Sequence, residues 1–150
     1  MNRDYPRVWA ILEATMPDPE RFFAQVDALN ADELVMLYAD VIDARDEVRC
    51  AWEGPFIPEL DSHLSEDSTE DLTDWIVGQG YAYWQRAIEA EDAALATMLS
   101  ESEAERETPS GRWNERTPVI GPAFFNSYAK RFDADVFLDA VDAELKARHG

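Results

Sequence analysis

The densest set of groups that could do chemistry lies between residues 59 and 74, where Glu59, Asp61, His63, Glu66, Asp67, Glu70, Asp71 and Asp74 crowd together. Loop carboxylates beside an imidazole can hold a hard divalent cation, and a cation so held can activate water for hydrolysis. Asp61, His63, Glu66 and Asp67 are therefore the candidate metal ligands. The calcium loop of an EF-hand is not met: from Asp61 the alternate positions carry His63 and Ser65, and no central glycine follows. The remaining acids, Glu70, Asp71 and Asp74, are candidates for contact with a basic partner.

The same stretch also reads as the entrance of a helix. With Ser68 as N-cap, and Ser65 competing for that role, Asp71 stands three residues on in an approximate capping box. On a helical wheel Asp67, Glu70, Asp71 and Asp74 share one arc, and Leu72, Trp75, Ile76 and Gln79 the opposite one. The carboxylates are expected to face water and the apolar arc the core. The like-charged pairs Asp67/Asp71 and Glu70/Asp74 each cost roughly 0.2–0.5 kcal/mol. Carboxylates in a first turn gain about 0.3–1 kcal/mol each from the helix dipole. The helix therefore needs no cation to form.

Chemistry elsewhere in the chain is sparser. The single cysteine, Cys50, excludes an intramolecular disulfide and a thiolate zinc site, and its helical setting reads as small and buried. No H-E-x-x-H, G-x-S-x-G, phosphate-binding or dinucleotide glycine pattern is present. Of the two histidines one is penultimate, so a Ser–His or Cys–His system would have to use His63. The sequence calls for no catalytic residue and no cofactor. A metal-dependent hydrolase or metal-binding protein is the runner-up reading.

Charge narrows the function classes. The 150 residues carry 13 Lys and Arg against 32 Asp and Glu, a net charge of −19. That opposes direct binding of nucleic acid, which needs cations against phosphates, and of an anionic membrane surface. From Cys50 to Gln85 there is no Lys or Arg. Such a surface steers a basic protein towards it. The leading expectation is a non-enzymatic acidic protein-interaction domain, of the kind that inhibits or confers immunity against a basic toxin. An acidic mimic of nucleic acid is a further alternative. Trp113, between Arg112 and Arg116 with no apolar period to bury it, has the composition of an interface anchor.

These groups must be positioned by helices. Asp4 is an N-cap candidate before Pro6, with Val8, Trp9, Ile11 and Leu12 as an apolar face. Asp18 and Pro19 open a second helix with Phe22, Phe23, Val26 and Leu29 inward. The third spans Asp32 to Trp52 on a stripe of Leu34, Leu37, Tyr38, Val41, Ile42, Val48 and Trp52. Arg45 sits on that stripe and is expected to pair with a carboxylate or reach the surface. The segment "PFIPELDSHL" reads as a loop with at most one helical turn.

After the acidic helix, Tyr81 to Glu89 forms a fifth, with Tyr81, Trp84 and Ile88 inward. Asp92 caps a short sixth bearing Leu95, Met98 and Leu99. An irregular loop occupies about 101–121, and helices follow over Pro122–Phe132 and Asp135–Arg148. The expectation is an all-α fold, one domain over 1–150, built as a bundle of seven to eight mostly short helices around an aromatic core. The start, "MNRDYPRVW", lacks the apolar run of a secretory leader, so a cytoplasmic protein is expected; the oligomeric state is left open.

The segments "VWAILEA", "LNADELVMLYADV" and "SEDSTEDLTDWIVGQG" followed by "YWQRAIEAEDAAL" resemble the bacterial domain-of-unknown-function family numbered 4240. Ser65, Glu66, Asp67, Leu72, Trp75, Ile76, Val77 and Gly80 fall on that family's Ser-Asp-Asp…Trp-Leu-Ile-x-x-Gly block, with Glu91-Asp92 at its Pro-Asp pair. Thr69 and Leu72 stand where the block has phenylalanines. The resemblance spans roughly residues 7 to 100. It implies an all-helical domain with no assigned activity, and a binding or regulatory role.

Overall fold

The computed structural model describes residues 4–15, 18–52, 56–57, 62–63, 66–89, 97–98, 101 and 120–149; at 19, 49–52, 56–57, 62–63, 66–71 and 120–122 the description is of backbone alone. Seven helices account for nearly all of it: α1 (Pro6–Thr15), α2 (Pro19–Asp27), α3 (Ala31–Trp52), α4 (Glu66–Gly78), α5 (Tyr81–Ile88), α6 (Ile120–Arg131) and α7 (Ala134–His149). The fold is all-α. The expected irregular loop lies almost entirely outside the described residues, and α6 begins two residues earlier than its sequence limit. No helix among the described residues is long and apolar enough to cross a membrane.

Local chemistry explains most helix starts. Asp18 accepts the backbone N–H of Glu20 at 3.1 Å and of Arg21 at 3.2 Å, and Pro19 supplies the first helical φ of α2. At the head of α3, Asn30 Oδ1 accepts the Glu33 N–H at 2.8 Å while Glu33 Oε1 accepts the Asn30 N–H at 3.1 Å. That reciprocal capping box starts the helix one residue before the expected Asp32. For α1 the flanking residue is Tyr5, not Asp4: its carbonyl accepts the Val8 N–H at 3.1 Å, at a φ of 55°. The acidic helix α4 begins at Glu66, so Ser68 lies inside it and is not its cap.

One expectation is corrected on the backbone. "PFIPELDSHL" was expected to be loop or helical turn, yet β1 (Phe56–Ile57) pairs antiparallel with β2 (Ser62–His63), in the register Phe56 to His63 and Ile57 to Ser62. Pro58 biases Ile57 towards extended backbone, and Phe and Ile favour strands. The bracketing prolines keep the ladder to two residues.

The long α3 is the hub: α1, α4, α5, α6 and α7 all pack on it. Its Leu34, Leu37, Val41, Ala44 and Val48 are buried. Trp9 and Trp84, 5.2 Å apart between ring centres, fill the end where α1 meets α5. Phe137 of α7 anchors the other side, 4.7 Å from Tyr128, 5.1 Å from Tyr38 and 5.6 Å from Phe125. Trp9, Trp75 and Trp84 are thus core residues, as their helical spacing requires.

Gly80 sits between α4 and α5 at φ 99°, ψ 176°, a region that only glycine occupies without strain. It lets Trp84 reach back to α3, where its indole N–H donates to the Ala44 carbonyl at 2.9 Å. Replacing Gly80 by Ala should lower unfolding free energy in urea by about 1–3 kcal/mol. A loss no larger than that of an exposed Ala82→Gly control would show that the turn tolerates a side chain.

Candidate functional site

The acidic stretch divides at Asp74. Glu66, Asp67, Glu70 and Asp71 lie on the first turns of α4, and His63 on β2; their side chains, together with Glu59, Asp61, Arg112, Trp113 and Arg116, lie outside the described residues. Asp74 does not face water as expected. It is buried, and the Arg45 guanidinium stands 3.5 Å from its Oδ1. The reason is environmental: α4 packs on α3, α5 and α6, and every residue from Leu72 to Gly80 is buried. No two-sided wheel applies to a helix enclosed on several sides. Asp74 is therefore no surface residue for a partner, whereas the expected pairing of Arg45 is found.

The most concentrated charge among the described residues lies elsewhere, on the middle of α3. Asp40 and Asp43 are buried, with side chains 4% and 8% exposed. The Arg148 guanidinium, from the end of α7, lies 2.8 Å from Asp40 Oδ1 and 3.0 Å from Asp43 Oδ2, and its Nε donates to Glu144 at 2.9 Å. His149 Nε2 is 2.8 Å from Asp43 Oδ1. From α1, Arg7 Nε approaches Asp40 Oδ2 to 3.5 Å, an ion pair without a hydrogen bond. Burial pushes the Asp40 carboxyl above the usual range, against the opposing pull of Arg148. One turn beyond Asp43 burial also raises Glu47, which a hydrogen bond from Tyr5 partly offsets.

A second clasp joins α2 to α6. Lys130 Nζ donates to Asp27 Oδ2 at 2.8 Å and Ser127 Oγ to Oδ1 at 2.7 Å, and these bonds hold Asp27 below the usual carboxylate range. Arg131 donates to the carbonyls of Leu29 at 2.7 Å and Val26 at 3.2 Å, closing the end of α2.

Both clasps fasten helices together. Among the described residues no group of three His, Cys, Asp or Glu could hold a metal ion. Asp40, Asp43, Arg148 and His149 do not stand out as a cluster in the sequence, because acids on a long helix read as solvent-facing. A signal was present: Asp40 and Asp43 share the three- and four-residue spacing of Leu37, Val41 and Ala44. A third feature is an open groove of about 310 Å³ between α1, α2 and α3, with Ile11, Leu29 and Leu37 in its lining. No protein-family model matches the chain, and no significant match is found among curated proteins or solved structures.

The clasps give stability a defined pH dependence. Asp40 has a raised folded-state pKa, so its contribution is fully present below the unfolded pKa and lost as pH rises through the folded one. Asp27 runs the other way: its contribution is present above the unfolded pKa and lost as pH falls through its depressed folded value. Arg148→Met, which removes the cation shared by two buried carboxylates, should cost about 3 kcal/mol near neutrality. The cost should shrink on acidification as Asp40 takes up a proton. Urea unfolding at about pH 7.5 and about pH 5 would check this, and an equal loss at both would refute the buried-carboxylate account.

Proposed function

We propose that the protein is a non-enzymatic acidic interaction domain whose partner is a basic protein, in its specific form an inhibitor or immunity-type protein against a basic toxin or nuclease. The observation that carries this reading is the use to which the fold puts its cations. Arg7, Arg45, Lys130 and Arg148 are ion-paired within the fold, and Arg131 is bonded to the carbonyls of Val26 and Leu29. Among the described residues the exposed acids outnumber the exposed cations, even with Arg21, Arg86 and Lys146 among the latter. Asp135, Asp139 and Asp142 are exposed on one arc of α7, and Asp32 and Asp46 are exposed on α3. Exposed carboxylates in surplus, here sharing the α7 arc with the single cation Lys146, accelerate encounter with a positively charged surface and repel nucleic acid and anionic lipid.

Two further points support the reading. The perturbed carboxylates Asp40 and Asp27 are bound by side chains of neighbouring helices, which is a structural use of charge and not a catalytic one. The resemblance to the family numbered 4240, proposed on the 65–80 block, goes with a binding or regulatory role. A cytoplasmic setting, proposed with it, suits a chain whose one cysteine forms no internal disulfide.

Affinity capture from the protein's own host at about 50 mM and about 200 mM salt tests the reading. The captured proteins should be basic and should be lost at the higher salt. The triple charge reversal Asp135→Lys, Asp139→Lys and Asp142→Lys should slow their association about tenfold. No captured protein at either salt, or an association rate unchanged by the reversal, would end the proposal.

A further inference from the structure

The groove between α1, α2 and α3 has a polar pattern that the acidic surface does not explain. Ala10, Ile11, Leu29 and Leu37 give it an apolar lining. Arg7, Gln25 and Glu33 bring three polar side chains to the same lining. None of the three is saturated. Arg7 is about half exposed at 54%, and only its Nε is engaged, 3.5 Å from Asp40 Oδ2; its two terminal amino groups have no partner among the described residues. Glu33 uses Oε1 in the capping box and keeps Oε2. The Gln25 side-chain amide makes no hydrogen bond among the described residues.

The charges are also spaced. Arg7 pairs with Asp40, seven positions along α3 from Glu33, and those two backbone positions are about 10 Å apart at roughly 1.5 Å per residue, which sets cation and anion well apart along the groove. An apolar lining with opposite charges so far apart suits an elongated apolar zwitterion. An extended peptide advances about 3.3 Å per residue, so roughly three residues bridge the span. A simple anion would enter against the net charge of −19, and a simple cation would meet Arg7. A zwitterion carries neither penalty. Free α-amino acids are excluded because their two charges are adjacent.

We propose that this groove binds a short apolar peptide with both termini free. Its carboxylate lies on the fork of Arg7, its ammonium on Glu33, and its apolar side chains on Ile11, Leu29 and Leu37. The Gln25 amide is available to a peptide unit between the ends. A guanidinium fork takes a carboxylate through two parallel charge-assisted bonds, which sets the direction of the bound peptide. The site lies on α1, α2 and the first half of α3 and needs no protein partner.

The test is an amide-resolved NMR titration of the intact chain with the tripeptide Ala-Leu-Ala, run beside its N-acetylated and C-amidated forms. The free tripeptide should bind with a Kd of the order of 1 mM and shift amides of α1, α2 and early α3. Ala10→Phe, at an exposed position of the lining, should fill the groove and abolish those shifts. Glu33→Gln keeps the capping box and removes the charge; it should weaken the free tripeptide at least about fivefold and leave the N-acetylated one unaffected. Arg7→Gln should do the same for the carboxylate, weakening the free peptide and sparing the amidated one. No shifts at about 10 mM would overturn the proposal. So would shifts that survive Ala10→Phe in a variant with wild-type circular dichroism, or equal binding of the free and N-acetylated peptides.

Discussion

Two carboxylates buried on the central helix govern how this bundle closes. Asp40 and Asp43 occupy the inward stripe of α3, where an aspartate without a partner would cost several kcal/mol. Arg148 arrives from the far end of the chain and reaches both, with Arg7 and His149 beside it. The contact joins residues more than a hundred positions apart, so it fastens α7 against α3. A wholly apolar stripe would have bound α7 as well, without specifying its register.

The Asp27 clasp does the same work on the opposite flank at lower stakes. Its lysine is largely exposed, so its contribution is screened, and its value lies in geometry. Arg131 closes the frayed carbonyls of α2 from α6, and Ser127 links the two. Helices of nine to twelve residues are marginal alone. Here the end of α2 is held by a side chain of α6 at the turn where its own hydrogen bonds run out. One consequence reaches function: several cations are engaged in fastening helices together, and among the described residues the exposed acids outnumber the exposed cations.

The groove beside Arg7 follows from the same arrangement. α1 crosses α3 closely enough for Arg7 to approach Asp40, and α2 runs into the capping box at Asn30 and Glu33. The three helices diverge between those two fixed points and leave a gap lined by apolar side chains. Its end charges were placed by structural needs, a buried aspartate at one end and a helix cap at the other.

Local rules were legible in the residues themselves. The 3.6-residue spacing of Leu34, Leu37, Val41 and Val48 determined α3, Asp18-Pro19 determined the start of α2, and the helical spacing of Trp9, Trp75 and Trp84 marked core. These signals are carried within one or two turns, where the backbone and its nearest side chains decide the outcome. The roles of the acids were not legible. Asp74 shares its wheel arc with Asp67 and Asp71, yet it is buried against Arg45 because α4 is covered on several sides. Asp40 and Asp43 look like the solvated acids of any charged helix until Arg148 is brought to them. The sequence by itself determined the helices and the sign of the surface; only the tertiary structure decided which carboxylates that surface contains, since burial and pairing depend on partners distant along the chain.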